Sequence, residues 1–290
     1  AYGIRARVHL TMHNYADALK DAEAALASTS SVPYSSAAVS KPTFIDIEDA
    51  SWMWGILITD KDRVSTTGIC NFPSHMGSLN YGYASVGGWR RISPKLYNQI
   101  PESDVRKGWF LDDTGVSVNL PAAAQAYITK KGAPVYTQVK YGPMNDEWGS
   151  NNNATDVILM RVEEMYLIKA EAQAMNNDVS GGVNTLNSFV NTYRDPSYKC
   201  TATTGEAVQE AVWHQRRIEF WGEGLAYFDI MRLNKGVNRL GCGFPKTAVF
   251  NIAAGDPVQI YSIPNKEVQY NPLLENNPLV SAPTPIPDEE

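Results

Sequence analysis

The stretch HQRRIEFWGEGLAYFDIMRL, residues 214–233, places arginines and glutamates among large apolar side chains. A helix with so much apolar surface is normally buried in the core of a protein. Buried charges are costly unless they are paired with opposite charges. The charged residues therefore form either a catalytic cluster or a set of internal ion pairs, and both alternatives require partners from elsewhere in the chain.

A second apolar segment, DVILMRVEEMYLIKAEAQAM (156–175), carries a similar stripe of arginine and glutamate. In the first segment, Arg216 and Glu219 are i,i+3 neighbours, while Glu219 and Glu223 are i,i+4 neighbours and need a cation between them. We expect the two segments to pair with each other, since guanidinium groups can bind carboxylates through two parallel bonds. The predicted buried, structural ion-pair network consists of Arg161, Glu171, Arg216, Glu219 and Glu223.

The helical segments show the small-residue spacing of tetratricopeptide hairpins. Ala6 and Ala18 lie twelve residues apart, and Ala170 and Gly182 repeat this spacing. Small side chains at these positions allow two helices to approach closely. The apolar periodicity, interrupted near His13, predicts helices over 2–11, 15–28, 157–175, 182–194 and 206–234.

The predicted fold is mainly α, with tetratricopeptide-like helical hairpins and a long insertion. Residues 1–30 form the first hairpin, and residues 156–235 form a helical repeat followed by a long helix. Between them, residues 31–155 are rich in Pro, Gly, Ser and Asn, which indicates a loop-rich insertion with short strands that provides the ligand face. The proline-rich residues 236–290 are expected to wrap around the surface as extended chain. We interpret all four segments as one domain.

Charge and composition exclude several classes of function. The formal net charge of −6 and the scattered basic residues argue against nucleic-acid binding. No apolar run is long enough to span a membrane. Helical periodicity is already present at Ala1, which suggests an amino-terminally truncated chain. The cysteines Cys70, Cys200 and Cys242 contain no metal-binding pair, and three free thiols are favoured over a Cys200–Cys242 disulfide.

Catalytic and metal-binding motifs are not recognisable in the sequence. His9 and His13 lie one helical turn apart but lack the glutamate and third ligand of a zinc protease, so a surface pair is favoured. The best local candidate for a glycoside hydrolase carboxylate pair is Asp112 with Asp113, although a solvated turn is the preferred interpretation. The sequence therefore predicts no catalytic residue, no cofactor and no metal ion.

Three segments resemble those of the SusD/RagB family: LMRVEEMYLIKAEAQAM (159–175), HQRRIEFWGEGLAYFDIMR (214–232) and YSIPNKEVQYNPLLENNP (261–278). The last of these is the most specific, and SPKLYNQIPESDVRKGWF (93–110) is similar to a mid-chain segment of the family. Glu163 stands where the family usually has alanine, and Glu275 where glutamine is common. Neither departure affects the implied function.

The resemblance implies the carboxy-terminal part of a surface lipoprotein of Gram-negative bacteria. Such proteins capture oligosaccharides or polysaccharides, without catalysis, for a SusC-like TonB-dependent transporter in the outer membrane. It also implies that the membrane is reached only through a lipid anchor on a portion before Ala1. A glycan-cleaving enzyme and a tetratricopeptide scaffold that binds peptides are the alternative functions.

A glycan would bind best where exposed aromatic rings lie among amide and guanidinium groups, because sugars present apolar faces with a rim of hydroxyls. Residues 72–91 combine these side chains with four glycines, which permit unusual backbone conformations. The alternative for Trp89 is that it packs beneath the loop. The candidate glycan-binding residues are His75, Asn80, Tyr81, Tyr83, Trp89, Arg90 and, in a second loop, Trp148.

Overall fold

A computed structural model describes residues 1–62, 71–278, 280, 281 and 283. The described chain is mainly helical, which confirms the predicted fold class. Its α-helices are α1 (Tyr2–Thr11), α2 (Tyr15–Ser28), α3 (Ser36–Val39), α4 (Phe72–Met76), α5 (Pro94–Tyr97), α6 (Ala122–Lys130), α7 (Val162–Met175), α8 (Val179–Tyr193), α9 (Gly205–Glu219), α10 (Ala226–Arg232) and α11 (Asn265–Tyr270). Its strands are β1 (Trp52–Ile56), β2 (Val157–Arg161), β3 (Val237–Asn238) and β4 (Asn251–Ile252). Short 3-10 turns occupy Ala84–Val86, Val105–Trp109, Met144–Asp146, Lys246–Ala248 and Pro257–Gln259.

Helix α7 is the centre of the helical part. It packs against α1 and α2 through one apolar cluster and against α8 and α9 through another. The small residues of the hairpin spacing lie at these contacts: Ala6 and Ala18 are fully buried, and a Cβ atom on Gly182 would lie 2.6 Å from the carbonyl oxygen of Ala170. The spacing read from the sequence therefore marks the places where helix axes approach most closely.

The segment 157–161 is a strand rather than the first turn of a helix, which corrects the sequence prediction. It pairs with β1 in antiparallel fashion, with Trp52 opposite Arg161 and Ile56 opposite Val157. Apolar residues in a short run fit a buried strand as well as a helix, so pairing with a distant segment decided the outcome. Helix α8 begins three residues earlier than predicted, because the Asp178 carboxylate accepts a hydrogen bond from the Gly181 amide at 2.9 Å.

The long helix predicted over 206–234 is broken in the structure. Helix α9 ends at Glu219, and α10 begins at Ala226 after a turn in which Gly222 and Gly224 both have φ of +80°. This left-handed conformation is easily adopted by glycine and strained for other residues. The two glycines thus end the helix, and Glu223 lies in the turn between the helices rather than on their surface.

The predicted insertion contains less strand and more helix than expected. Among its described residues only Trp52–Ile56 forms a strand, β1. The isolated bridges there join Thr43 with Tyr141, Arg91 with Thr137 and Phe110 with Gln138. The helix α6 was not predicted, although its sequence AAAQAYITK is rich in a strong helix former. The core of this segment is aromatic, with Phe44, Trp109 and Phe110 each almost fully buried.

The carboxy-terminal segment is largely extended, but it contains regular structure that the sequence did not predict. Helix α11 and the β3–β4 pair interrupt it. Asn276 bonds both backbone groups of Ile263, since its Oδ1 accepts from the amide at 2.8 Å and its Nδ2 donates to the carbonyl at 3.1 Å. The asparagine motif therefore ties two stretches of extended chain together.

Cys200 and Cys242 carry free thiols, which confirms the favoured alternative for these two residues. Cys70 lies outside the described residues. None of the helices that the structure describes combines the length and apolar character needed to cross a lipid bilayer.

Replacing Gly222 by alanine should destabilise the protein more than replacing Gly224. Both changes impose about 1–2 kcal/mol of backbone strain at positive φ. A Cβ on Gly222 would also lie 2.7 Å from Met76 Cε and 2.9 Å from Tyr141 Oη, whereas the space at Gly224 is open. Urea unfolding of both variants measures the difference, and an equal or larger loss for Gly224→Ala would contradict this account of the helix break.

Candidate functional site

The five charged residues predicted to form one network lie in two separate buried clusters. The single network was therefore a wrong prediction, because most partners come from segments that carry no helical stripe. The inner cluster consists of Arg106, Lys140, Arg161 and Arg194 with Asp104, Glu163, Glu219 and Glu223. The outer cluster consists of Arg7, Arg216 and Arg232 with Glu164, Glu171 and Asp229.

In the inner cluster, Arg161 is the cation that separates the two glutamates. Its Nη1 lies 2.6 Å from Glu219 Oε1, and its Nη2 lies 2.9 Å from Glu223 Oε1. Lys140 reaches Glu223 at 2.6 Å and also donates to the carbonyl oxygens of Glu219 and Trp221 at 3.0 Å. Two cations thus hold the carboxy-terminal end of α9 and the turn that follows it.

The electrostatics of the inner cluster indicate a structural role, because its opposite charges stabilise each other. Burial alone would raise the pKa of Glu219, but Arg194, Arg161 and Arg106 offset it, and the pKa lies well below its usual value. Burial lowers the pKa of Lys140 to about 8, opposed by Glu223. A carboxylate held this firmly in its ionised form cannot act as a general acid near neutral pH.

The outer cluster pairs Arg216 with Asp229 at 2.8 Å, and Arg216 lies 3.9 Å from Glu164. The predicted i,i+3 pair of Arg216 and Glu219 is absent from the described ion pairs, because α10 folds back and offers Asp229 instead. Arg232 forms two ion pairs, one with Asp229 at 2.8 Å and one with Glu171 at 2.5 Å. The two clusters together fasten α9 and α10 to β2 and α7.

Three of the predicted glycan-binding residues form one stack on the insertion, which we call the loop stack. The rings of His75 and Tyr83 are parallel within 23° at a centroid distance of 4.6 Å. The guanidinium carbon of Arg90 lies 5.6 Å from the centre of the Tyr83 ring, and its Nε donates to the His75 carbonyl at 3.1 Å. Tyr83 keeps 42% of its surface exposed. The stack presents an aromatic edge surrounded by polar groups.

Tyr81 and Asn80 are adjacent in sequence but differ in exposure. Tyr81 is 49% exposed, with the Lys131 ammonium 5.1 Å from the centre of its ring. Asn80 is buried, and its side chain donates to Asn153 at 3.2 Å, while its carbonyl accepts from the Tyr127 hydroxyl at 3.1 Å. Asn80 therefore holds two loops together, and Tyr81 alone of the two presents its side chain to solvent.

Trp89 and Trp148 are half-buried against one apolar cluster. The cluster includes Leu79, Leu111 and Ile128, all almost fully buried. The ring of Trp89 is thus largely a packing element and not the exposed platform expected from the sequence. The alternative considered for it, packing beneath the loop, describes its surroundings.

The insertion also contains a polar cleft of about 520 Å³, which we call the tyrosine cleft. The rings of Tyr97 and Tyr136 meet in it at 5.2 Å and 60°, and the Lys107 ammonium lies 5.1 Å from the centre of the Tyr97 ring. Its wall also carries the exposed side chains of Asn98 and Asp113, neither of which makes a side-chain hydrogen bond with the described residues. Its volume lies in the range of small-ligand sites, although its lining is more polar than is usual for them.

Asp112, the other half of the carboxylate pair considered above, is committed to a turn. Its Oδ1 accepts from the Thr114 amide at 2.8 Å, the Thr114 hydroxyl at 2.7 Å and the Val116 amide at 3.0 Å. Burial acts to raise its pKa, but these bonds outweigh it and the pKa is lowered. Asp112 is therefore an ionised turn residue, in keeping with the solvated-turn interpretation.

The sequence did not identify Tyr97, Tyr136 or Asn98 as site residues. Tyr97 and Asn98 lie in the segment used only for the family resemblance, and Tyr136 faces them from residues far along the chain. Tyr136 has φ of +64°, a conformation that is uncommon outside glycine and often found at functional sites. No sequence signal predicts this angle.

The two histidines considered as zinc ligands each have another partner. His9 lies 3.7 Å from Asp21, and His13 bonds the Arg232 carbonyl oxygen at 2.6 Å. Throughout residues 1–62, 71–278, 280, 281 and 283, no group of three or more His, Cys, Asp or Glu side chains is arranged to hold a metal ion.

Comparison with known proteins assigns the family. The family model described as the SusD family matches residues 106–279, more than half of the chain. The chain belongs to the SusD family. No curated protein gives a significant match.

Several solved structures with the same fold come from Bacteroides species. A SusD superfamily protein from Bacteroides thetaiotaomicron VPI-5482 is similar with a TM-score of 0.74 and 22% identity, over 96% of this chain and 60% of that one. A SusD superfamily protein from Bacteroides vulgatus ATCC 8482 gives a TM-score of 0.70 and 21% identity, over 96% and 58%. A SusD-like carbohydrate binding protein from the same strain gives 0.64 and 23%, over 91% and 48%. The chain thus spans about half to three fifths of the length of these relatives.

Arg216→Ala should lower the free energy of unfolding by about 3–5 kcal/mol, because it leaves Asp229 buried with one cation fewer. Arg217→Ala is the matched control, since the neighbouring Arg217 makes no ion pair with the described residues. Urea unfolding followed by circular dichroism measures both variants. Equal stabilities would contradict the structural role of the outer cluster.

Trp89→Ala should cost stability and Tyr83→Ala should not. Trp89 packs against the cluster of Leu79 and Ile128, so its removal leaves a cavity and should lower the free energy of unfolding by about 2–4 kcal/mol. Tyr83 is 42% exposed, and its loss should change stability by less than about 1 kcal/mol. Thermal unfolding of the two variants tests this, and a larger loss for Tyr83→Ala would reverse the assignment.

Proposed function

We propose that this protein binds glycans without cleaving them, at the surface of a Gram-negative cell, and delivers them to a SusC-like TonB-dependent transporter. Membership of the SusD family and the structural similarity to a SusD-like carbohydrate binding protein support glycan binding. The transporter, the outer-membrane location and the lipid anchor rest on the family resemblance. The tyrosine cleft is the proposed binding site.

The observation that carries this proposal is the composition of the tyrosine cleft. The half-buried ring of Tyr136, backed by the buried ring of Tyr97, provides apolar surface on which the CH face of a sugar can pack. Beside them, the Asn98 amide and the Asp113 carboxylate make no side-chain hydrogen bonds with the described residues. They can therefore bond the hydroxyls on the rim of the same sugar without losing an existing partner.

Binding without catalysis is favoured by the state of two carboxylates of the cleft, those of Asp112 and Asp104. Hydrolysis needs one carboxylic acid with a raised pKa opposite a second carboxylate. The pKa of Asp112 is lowered, since its three hydrogen bonds outweigh the effect of burial. Asp104, which also borders the cleft, is paired with Arg106 at 2.5 Å. Neither group is prepared to protonate a leaving sugar.

The loop stack is the second proposed contact surface. Tyr83, Tyr81 and Arg90 present partly exposed rings and a guanidinium group, which suit sugars in the same way. The backbone connects this surface to the cleft, because the Ile92 amide donates to the Tyr136 carbonyl at 3.0 Å and the Gln138 amide donates to the Arg90 carbonyl at 2.9 Å. A glycan of several units could therefore use both.

A glycan array followed by calorimetric titration tests the proposal. Asp113→Ala, which removes a charge-assisted hydrogen bond, should weaken binding about tenfold or more, and Asn98→Ala should weaken it less. Glu48→Ala removes an equally exposed charge that does not line the cleft, and should leave affinity unchanged. The oligosaccharide should remain intact after prolonged incubation, as measured by mass spectrometry.

Two results would contradict the proposal in different ways. Equal affinities of the wild type and the cleft variants would exclude the tyrosine cleft, and Tyr83→Ala would then test the loop stack. Turnover that is lost in Asp113→Ala would instead favour the glycan-cleaving enzyme.

A further inference from the structure

The outer face of helix α9 carries four polar or aromatic residues at helical spacing. Glu210, Trp213, His214 and Arg217 occupy positions i, i+3, i+4 and i+7, so they form one stripe along the helix. The inward face bears Arg216 and is packed against the helical core. The stripe therefore lies on a different side of the helix from Arg216, and Arg106 and Asp104 of the inner cluster are close enough to His214 to act on its charge.

Arg217 differs from every other arginine that the structure describes. Each of the others donates at least one hydrogen bond to a carboxylate, a carbonyl oxygen or a side-chain acceptor. Arg217 makes no hydrogen bond or ion pair within residues 1–62 or 71–278. The Trp213 ring lies 5.0 Å from its guanidinium carbon, and Glu210 and Cys242 act on it only through longer-range electrostatics. A half-buried guanidinium group with no anion is rare, because nothing offsets the cost of its desolvation.

These residues line a cleft of about 430 Å³, which we call the indole cleft. Gln99 and Tyr198 form its other wall, and they come from segments outside the helix. The indole Nε1 of Trp213 is also without a hydrogen-bond partner in the described part of the chain. This nitrogen is buried, so the side-chain N–H donors that line the cleft are those of Gln99, His214 and Arg217, beside the single carboxylate of Glu210.

The charges of the indole cleft leave one cation unbalanced. Lys235 lies 4.7 Å from the centre of the Trp213 ring and pairs with Glu210 at 2.5 Å, so these two neutralise each other. Burial, followed by the nearby Arg217, lowers the pKa of His214, which keeps that ring neutral at pH 7. Burial also lowers the pKa of Arg217 itself, as expected for a cation without a partner. A single negative charge would balance the cleft.

We propose that the indole cleft binds a singly charged oxyanion carried by a sugar, either the carboxylate of a uronic acid or a sulfate ester. The planar guanidinium of Arg217 can bind two oxygens of such a group, and His214 and Gln99 are placed to donate to the remaining ones. The proposal rests on the glycan-binding function above and narrows its substrate class to anionic glycans.

The experiment compares oligosaccharides of three groups, uronate-containing, sulfated and neutral, by calorimetric titration of the whole chain. We expect tighter binding of at least one anionic group, and a loss of affinity for it as salt is raised. Arg217→Ala should weaken that binding about tenfold or more, and Arg217→Lys less, because the charge remains but the fork is lost. Comparing the affinities for uronate-containing and sulfated ligands shows whether the bound anion is a carboxylate or a sulfate ester.

Two controls separate binding from structure. Lys20→Ala makes the same change of net charge at an exposed site on α2 and should leave affinity unchanged. The melting temperature of Arg217→Ala should stay close to that of the wild type, since no ion pair is lost, and its affinity for any neutral glycan should change less than about twofold.

Each remaining outcome contradicts a different part of the proposal. Binding of glycans that is indifferent to their charge and to Arg217 would overturn the anionic-glycan site and leave the proposed function in place. Failure to bind any of the three groups would overturn both. A sharp fall in the melting temperature of Arg217→Ala would show that Arg217 is a structural residue.

Discussion

The ion pair between Arg161 and Glu219 is the interaction on which the rest of this structure depends. Arg161 ends strand β2, which pairs with strand β1 of the insertion, and Glu219 ends helix α9, so their contact at 2.6 Å fastens α9 to the strand pair. Lys140 and Arg106 from the insertion reach the same carboxy-terminal turn of α9. The inner cluster contains equal numbers of cations and anions, which is the condition under which buried charges can be tolerated.

The inner cluster also explains how a loop-rich insertion can keep a defined shape. A segment with few paired strands and only short helices makes few regular backbone hydrogen bonds of its own. It therefore needs contacts with the rest of the chain to hold its conformation. Glu163 supplies one of them. It accepts from the Tyr34 amide at 2.8 Å and the Ser51 hydroxyl at 2.5 Å, and it also contacts Arg194 at 3.2 Å. Both ends of the loop that leads into β1 are thereby fixed to α7.

The sequence predicted what depends on local periodicity and failed where distant segments decided. Helices α1 and α2 were placed correctly because their apolar spacing and the break at His13 are local. The strand over 157–161 was mistaken for helix, because its pairing partner lies about a hundred residues earlier along the chain. The division of the charged residues into two clusters depended on Arg106 and Arg194, which lie outside the two charged segments, and on the break at Gly222 and Gly224 that brings Asp229 back to Arg216. The tyrosine cleft was missed for the same reason, since Tyr97 and Tyr136 meet only in the folded chain.

Two adjacent arginines on one helix show how neighbouring residues of the same type acquire opposite roles. Successive positions on an α-helix point about 100° apart, so Arg216 turns towards the core while Arg217 turns towards solvent. Arg216 pairs with Asp229 and stabilises the fold, whereas Arg217 packs against the Trp213 ring and makes no ion pair with the described residues. A pair of arginines in a sequence therefore carries no single meaning. The partner that each one finds separates an arginine that supports the fold from one that is available to a ligand.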